Sequence, residues 1–385
     1  MSADIQNALA ILERLIAFPT VSHRSNRDLI AYVSEYLTGL GVAHHIFPDE
    51  TGEKEGLIAH IGPMVEGAVI LSGHTDVVPI DGQSWRNDPW TLTEEDGQYF
   101  GRGTCDMKGF VALVLAAVPA MLAAPLTRPI QLAFSYDEEP GCLGTLPLIE
   151  ALAQHYPRAG SVIVGEPTMM KVVTGHKGGI GMTTTLRGKA AHSSVPARGV
   201  SAIAHAVPLI AWHGAQMVEQ ERGADDANGF FPAFTTLQVG TMHAGTSLNT
   251  VPDECIMQSD IRYVPPQTAE QWIAAYRNEA ARAERAMQAE FPGARVTISD
   301  VDVAPALAPI PDGEAEQVAR RLTGDNSDNL VSYQTEAGHF QGAGYSTVVC
   351  GPGSIAQAHQ ADEFITGDEL QGGAVFLSRL VGSLA

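Results

Sequence analysis

Ala68-Val69-Ile70-Leu71-Ser72-Gly73-His74-Thr75-Asp76 is an apolar run of strand length that stops in a polar cluster. The pattern repeats at Ile130–Ser135, which runs into Asp137-Glu138-Glu139, and at Val162–Val164, which runs into Gly165-Glu166. Helical patterns lie between these runs, at 108–122 and 144–153. Strands that are apolar along their whole length are buried on both faces, and their alternation with helices predicts an α/β fold with a mostly parallel sheet. Ligands of such sheets gather outside the carboxyl ends of the strands, where these polar clusters fall. Ahead of the sheet, apolar residues at helical spacing predict two amphipathic helices. These are 4–17, with Ile5, Leu9, Leu12 and Ile16, and 27–40, with Leu29, Ile30, Val33 and Leu37. The longest apolar stretch, Phe110 to Leu126, is Ala-rich and interrupted by Pro119 and Pro125, and reads as a buried helix rather than a membrane span.

The texture changes near Gly178. Strand patterns at Ile180–Leu186, Thr235–Met242, Glu254–Arg262 and Arg295–Val301 enclose helical patterns at Ser201–Arg222 and Ala269–Glu290. In the second helix Trp272, Tyr276, Ala283 and Met287 form one stripe. The order β-α-β-β-α-β is the ferredoxin-like unit. After the Pro-rich stretch Pro305–Pro311 the α/β texture resumes, with a strand at Tyr345–Cys350 and a closing helix striped by Leu370, Ala374, Leu377, Leu380 and Val381. The expected organisation is therefore a first domain in two segments, 1–177 and 306–385, with the ferredoxin-like domain, 178–305, inserted between them.

The 385 residues suffice for about two domains. With 44 acidic against 23 basic residues the formal charge is −21, which repels phosphate backbones and anionic lipid, so neither nucleic acid nor an acidic membrane surface is expected as a partner. Cys105, Cys142, Cys255 and Cys350 stand far apart with no C-x-x-C pair, as expected of reduced thiols in a cytosol. The N-terminal stretch lacks the basic and apolar regions of a secretory signal, and a cytoplasmic location is expected.

Each polar cluster has an ordinary reading when taken alone. His74 and Asp76 share a side of an extended segment, so Asp76 can hold the imidazole from behind, or the two are a surface polar pair. Asp106, in Gly101-Arg102-Gly103-Thr104-Cys105-Asp106-Met107-Lys108-Gly109, precedes a helix and reads as its N-cap. Asp137-Glu138-Glu139 either complements a helix dipole or awaits cations, since three adjacent anions repel. Glu166 ends a third strand, and His359 follows the turn Gly351-Pro352-Gly353-Ser354. Together the strand ends of one sheet offer His, Asp, Glu, Glu, Glu and His, the mixed imidazole and carboxylate inventory of a paired zinc site with open positions. Neither G-x-x-x-x-G-K-[ST], G-x-G-x-x-G nor G-x-S-x-G occurs, so nucleotide-dependent and serine-hydrolase chemistry are disfavoured.

In this order the motifs resemble the metal-dependent aminoacylase and exopeptidase family, which includes desuccinylases and glutamate carboxypeptidases, and within it the acetylornithine deacetylase branch. The resemblance spans essentially the whole chain. It rests on Ser72-Gly73-His74-Thr75-Asp76-Val77-Val78-Pro79, Gly103 to Gly109, Gly165-Glu166-Pro167-Thr168, His176-Lys177-Gly178-Gly179, Ala191-His192-Ser193-Ser194-Val195-Pro196-Ala197-Arg198-Gly199 and Gly351 to Gln360. It implies a metallohydrolase domain with an inserted lid and dimerisation domain. It also implies two divalent ions, zinc or cobalt: His74 and Glu166 on one, Glu139 and His359 on the other, and Asp106 bridging them. Asp76 would orient His74, Glu138 would be the general base, and the Asp106–Met107 peptide would be cis.

By the same resemblance the chain is a homodimer, in which His192 reaches the partner's site to stabilise the oxyanion. Asn249 and Arg262 would hold substrate, Arg262 through its α-carboxylate; pairing of Arg262 with Asp260 is the alternative. Thr335-Glu336-Ala337-Gly338 suggests that Glu336 faces a substrate ammonium. The implied reaction removes the acetyl group from a small N-acyl amino acid, N2-acetyl-L-ornithine, giving L-ornithine and acetate for arginine biosynthesis. N-acetylcitrulline, succinyl-diaminopimelate and broader N-acyl amino acids are the alternatives, and a non-catalytic metal-binding or peptide-binding protein is a distant one. His176-Lys177-Gly178-Gly179, with no arginine pair, leans away from the desuccinylase.

Overall fold

Ala68–His74 is buried at every position, as its composition requires, and lies between Ile130–Ser135 and Ala159–Pro167, both parallel to it. This trio sits inside an eight-stranded sheet of a computed structural model that describes residues 3–385. The strand order is His44–Pro48, Glu55–Ile61, Ile130–Ser135, Ala68–His74, Ala159–Pro167, Ser346–Gly351, Val173–His176 and Asn329–Val331. The four central strands are mutually parallel, whereas Glu55–Ile61 and Val173–His176 join them antiparallel. The fold is α/β with a mostly parallel central sheet.

Helix Lys108–Ala123 is buried over most of its circumference, packing on Ala3–Ile16, on Gly367–Leu384 and on the central strand Ala68–His74. Its burial explains why an apolar stretch of near-membrane length is a core helix. Among the described residues no helix is long and apolar enough to cross a membrane. The closing helix Gly367–Leu384 begins with a capping box, Thr366 and Glu369 each bonding the other's backbone N–H.

The chain forms two compact units. The first comprises residues 1–175, 309–329 and 335–385; the second comprises 176–308 and 330–334. The short return segment escapes the sequence reading because long-range contacts tie it down: the Lys177 N–H donates to the Val331 carbonyl, and the Ser332 hydroxyl to that of Phe231.

In the second unit four antiparallel strands run in the order Thr236–Ala244, Glu254–Tyr263, Gly178–Arg187 and Arg295–Ala304. Along Gly178–Arg187 the buried residues Ile180, Met182, Thr184 and Leu186 alternate, so one face of the sheet is covered. Helices Ala202–Arg222 and Ala269–Glu290 cover it, the latter with Trp272, Tyr276, Ala283 and Met287 inward. The observed element order is β-α-β-β-α-β.

Candidate active site

Four adjacent parallel strands bring their carboxyl ends to one edge of the sheet, each carrying polar groups. His74 ends its strand, Glu138 and Glu139 follow Ile130–Ser135, Glu166 is the next-to-last residue of strand Ala159–Pro167, and His359 follows Ser346–Gly351. Asp106 enters from the loop ahead of Lys108–Ala123. That helix has Met107 at its N-cap with no side-chain cap bond, so Asp106 is not spent as a cap. The helix after the acidic triplet starts only at Thr145, with Gly144 at its N-cap, so the triplet does not serve its dipole either.

The two oxygens of Asp106 face different histidines. Oδ1 lies 3.0 Å from His74 Nε2 and Oδ2 lies 3.3 Å from His359 Nε2. His74 Nε2 also has Glu166 Oε1 at 3.5 Å, and His359 Nε2 has Glu139 Oε2 at 2.9 Å. Asp106 thus stands between a His74–Glu166 pair and a His359–Glu139 pair, and the Asp106–Met107 peptide is cis. His74 Nδ1 donates to the main-chain carbonyl of Asp76 at 2.9 Å. A carbonyl only accepts, so this bond fixes the tautomer and leaves Nε2 as the ligating nitrogen.

Asp76 holds the ring chiefly through that carbonyl, its carboxylate being 3.5 Å from Nδ1. The carboxylate instead accepts the N–H groups of Glu138 at 3.0 Å and Glu139 at 3.3 Å, and the Ser22 hydroxyl at 2.8 Å. Beside it, the buried Lys54 ammonium pairs with Asp137 at 2.5 Å, holding a residue whose backbone is left-handed, with φ 47°. Among the described residues Glu138 forms no ion pair with a histidine, although donor atoms of Glu138, His74 and Glu166 all lie within 4.8 Å of one another, and the Cys142 thiol donates to its Oε1 at 3.3 Å.

Residues 70–383 match the sequence profile described as Peptidase family M20/M25/M40. The chain belongs to this family. It is 34% identical over 386 residues to an acetylornithine deacetylase of Pasteurella multocida (strain Pm70), with 98% of each chain covered. The fold is shared with an M20 family metallo-carboxypeptidase from Sulfolobus solfataricus (TM-score 0.77, 18% identity, 99% of each chain). It is shared also with a dinuclear metal-binding M20 peptidase from Bacillus subtilis (TM-score 0.63, 17% identity, 99% of each chain). As an M20 member related to a deacetylase, the chain is a metal-dependent hydrolase of amide bonds.

The charge balance of the M20 cluster is what a cation site needs. Among the described residues the only ion-pair partners of Asp106, Glu139 and Glu166 are the two histidines. Burial, reinforced by Asp106, pushes Glu139 up to about 7 and Glu166 up to about 8. Burial and the neighbouring Glu166 hold Glu138 well above the usual carboxylate range. Asp106 is held low despite its burial, because both histidines bond to it. Hydrogen bonds to Asp106 and Glu139 raise His359 to about 10. Carboxylates this crowded hold protons where cations would let them ionise.

Glu336 does not join the open side of the cluster. It is fully buried, and its carboxylate accepts the hydroxyls of Ser72 at 2.6 Å, Ser135 at 2.8 Å and Thr145 at 3.3 Å. The expectation that it faces a substrate ammonium did not include this setting, in which its oxygens are engaged by three hydroxyls.

In the second unit, His192 and Asn249 stand together at a two-stranded ribbon. Ala191–His192 pairs with Thr250–Val251, and the Ser193 N–H donates to the Asn249 carbonyl at 3.0 Å. His192 is exposed, and its Nδ1 lies 2.8 Å from the Ser194 hydroxyl and 3.1 Å from the Ser194 N–H. Arg262 Nε pairs with Asp260 at 2.9 Å, the alternative weighed from sequence. Sequence reading assigned no role to Ser22, Lys54, Arg102 or Glu363. Arg102 stood in the quoted Gly-rich stretch 101–109 as an unassigned neighbour of Asp106, and Glu363 lies four residues after His359.

Proposed function

We propose that this chain removes the acetyl group from N2-acetyl-L-ornithine, releasing L-ornithine and acetate, with two divalent ions held by His74, Asp106, Glu139, Glu166 and His359. The observation that carries the two-ion reading is the division of Asp106 between two His–Glu pairs. The ornithine substrate rests on the name of the Pasteurella relative. The donors fit the ions: nitrogen and oxygen only, with His74, Asp106 and Glu166 buried and His359 closing the group from the exposed side, crowded with negative charge and with the His74 tautomer already set. Zinc is the first expectation and cobalt the second. Such ions lower the pKa of water toward neutrality and polarise an amide carbonyl.

Glu138 is then the general base, taking the proton from water and handing it to the leaving amine. Asp76 fixes the backbone of the base through the Glu138 and Glu139 N–H groups. His192, engaged by Ser194 through Nδ1, donates from Nε2 to the oxyanion in a partner's site. Arg262 binds the substrate α-carboxylate by exchanging its half-exposed pairing with Asp260, and Asn249 adds a further polar contact.

The partner in that scheme is a second copy joined through the second unit. Two features support it. Edge strand Thr236–Ala244 carries no Asp, Glu, Lys or Arg and pairs on one side only, whereas the opposite edge, Arg295–Ala304, is guarded by Asp300, Asp302 and a register break. On helix Ala202–Arg222, Ile203, Val207, Ile210 and Val218 form an exposed apolar face at helical spacing. The four cysteines are free and buried, which suits the reducing cytosol proposed as its location.

The test is amine release from N-acetylornithine, N-acetylcitrulline, N-acetylmethionine and succinyl-diaminopimelate, with zinc or cobalt and again after chelation. Chelator-sensitive turnover preferring N-acetylornithine is expected. No turnover of any of them would overturn the reading. A preference for N-acetylcitrulline would keep the chemistry and change the substrate, a live alternative now that Glu336 is committed elsewhere.

A further inference from the structure

We propose that Glu363 is a positioning residue that fixes the bridging carboxylate of Asp106 through the backbone, with Arg102 as its counter-ion. The inference rests on the two-ion reading above.

Glu363 is 1% exposed and both its oxygens are engaged. Oε1 accepts the N–H groups of Cys105 at 2.9 Å and of Asp106 itself at 3.0 Å. Oε2 accepts the Gly103 N–H at 3.0 Å and Arg102 Nη1 at 2.6 Å. Three of these four donors come from the short stretch 103–106, so one carboxylate gathers successive N–H groups as an anion does in a backbone nest. An Asp side chain is short, and the place of its oxygens follows closely from the place of its backbone. Holding the Asp106 N–H therefore holds the two oxygens that must each meet a different ion.

The network extends to the second histidine. Arg102 Nη2 donates to Gln83 Oε1 at 2.6 Å, its guanidinium lies over the Trp85 ring, and the Gln83 amide donates to the His359 carbonyl at 3.0 Å. One buried ion pair thus holds the backbone of Asp106 directly and reaches that of His359 through Gln83. For stability alone such a pair is a poor investment, since desolvating two charges offsets most of their attraction and apolar residues of the same volume serve as well. Aiming a metal ligand is what a carboxylate does here and an apolar side chain does not.

The experiment compares wild type with Glu363→Asp and Glu363→Gln, each stripped of metal and titrated with manganese(II) under electron paramagnetic resonance, alongside thermal unfolding of the metal-free proteins. Wild type is expected to take up two ions and give the signal of a spin-coupled pair. Both variants should bind about 10–100-fold more weakly, the range for losing an outer partner of a ligand, and should lose the coupled signal even near saturation. Their unfolding temperatures should move by only a few degrees. Glu363→Asp keeps the charge opposite Arg102, so it carries the test if Glu363→Gln leaves that cation stranded and fails to fold. A folded variant with wild-type affinity and an intact coupled signal overturns the proposal, as does loss of binding that only follows loss of the fold. Wild type showing no coupled pair overturns the two-ion reading and this inference with it.

Discussion

His74 is 1% exposed and has partners on both ring nitrogens, whereas His192 is exposed and, among the described residues, engages its neighbours through Nδ1 alone. The contrast extends to their surroundings. In the first unit Asp106, Glu138, Glu139 and Glu166 converge from two strand ends and a loop, and bonds to Glu363 and Asp76 hold the backbones of the first three. In the second, His192 and Asn249 are exposed, and Arg262 is half-buried in its pair with Asp260. A buried polar group must be satisfied where it stands, so the first set carries its own geometry. An exposed group can wait for something else to complete its surroundings, which is the logic of a residue that serves a partner's site.

The largest effects should fall on the buried set. Asp106→Ala should lose both ions and all turnover, read by metal content and amine release. Glu138→Gln should keep both ions and lose about 10²–10⁴ in kcat, the usual contribution of a general base. His192→Ala should also keep both ions and lose about 10²–10³ in kcat, as for an oxyanion donor. If His192→Ala released metal, the two regions would not be separable in this way.

Mixing sharpens the comparison further. Glu138→Gln and His192→Ala are each inactive by expectation, but in a mixed dimer one of the two sites would combine an intact base with an intact partner histidine. Random exchange should restore about a quarter of wild-type activity. No recovery between dimers shown to exchange would put His192 back in its own chain's site or out of the reaction. Val207→Asp, on the exposed helix face, should yield a monomer that keeps its metals and turns over as poorly as His192→Ala.

A smaller effect follows from protonation of the proposed metal ligands. In the metal-free protein Glu139 titrates at about 7, Glu166 at about 8 and His359 at about 10, against ordinary values near 4.5 for the acids and 6.5 for histidine. All three bind protons more tightly folded than unfolded. Their stabilisation is therefore complete below the unfolded values and is lost as pH rises through the folded ones. Asp106, held low, acts in the opposite sense, but only below about pH 4. The metal-free unfolding temperature should thus fall between about pH 5 and pH 8, and added zinc should raise it more at pH 8 than at pH 6. A metal-free protein that gained stability over that range would contradict the buried, crowded site.

The same contrast explains what could be read from sequence. His74, Glu138, Glu139 and Glu166 stand at the ends of apolar runs, and a parallel sheet must bring such ends to one edge, so their convergence follows from local pattern plus topology. The partners of Glu363 and Lys54 have no local signature. Glu363 acts on N–H groups 257 residues away, and Lys54 meets Asp137 across 83. Asp76 was legible as a neighbour of His74, yet most of its carboxylate bonding goes to the loop of the base, which only the folded chain reveals. Thr335-Glu336 shows the limit of pattern likeness: it supplies a residue type without the side of the sheet toward which the carboxylate turns.

Glu336→Gln is the mildest change that still discriminates between these readings. The three hydroxyls around Glu336 can rotate, so a glutamine amide there can accept from some and donate to others, and a loss of about 1 kcal/mol is expected, the scale of one imperfect hydrogen bond. Being buried and saturated, Glu336 should leave selectivity alone: KM for N-acetylornithine and for N-acetylmethionine should change by the same factor. If KM rose only for the cationic substrate, Glu336 would be sensing the ammonium from beneath the strand ends, and the division between a buried set that builds the site and an exposed set that meets the substrate would fail at that residue.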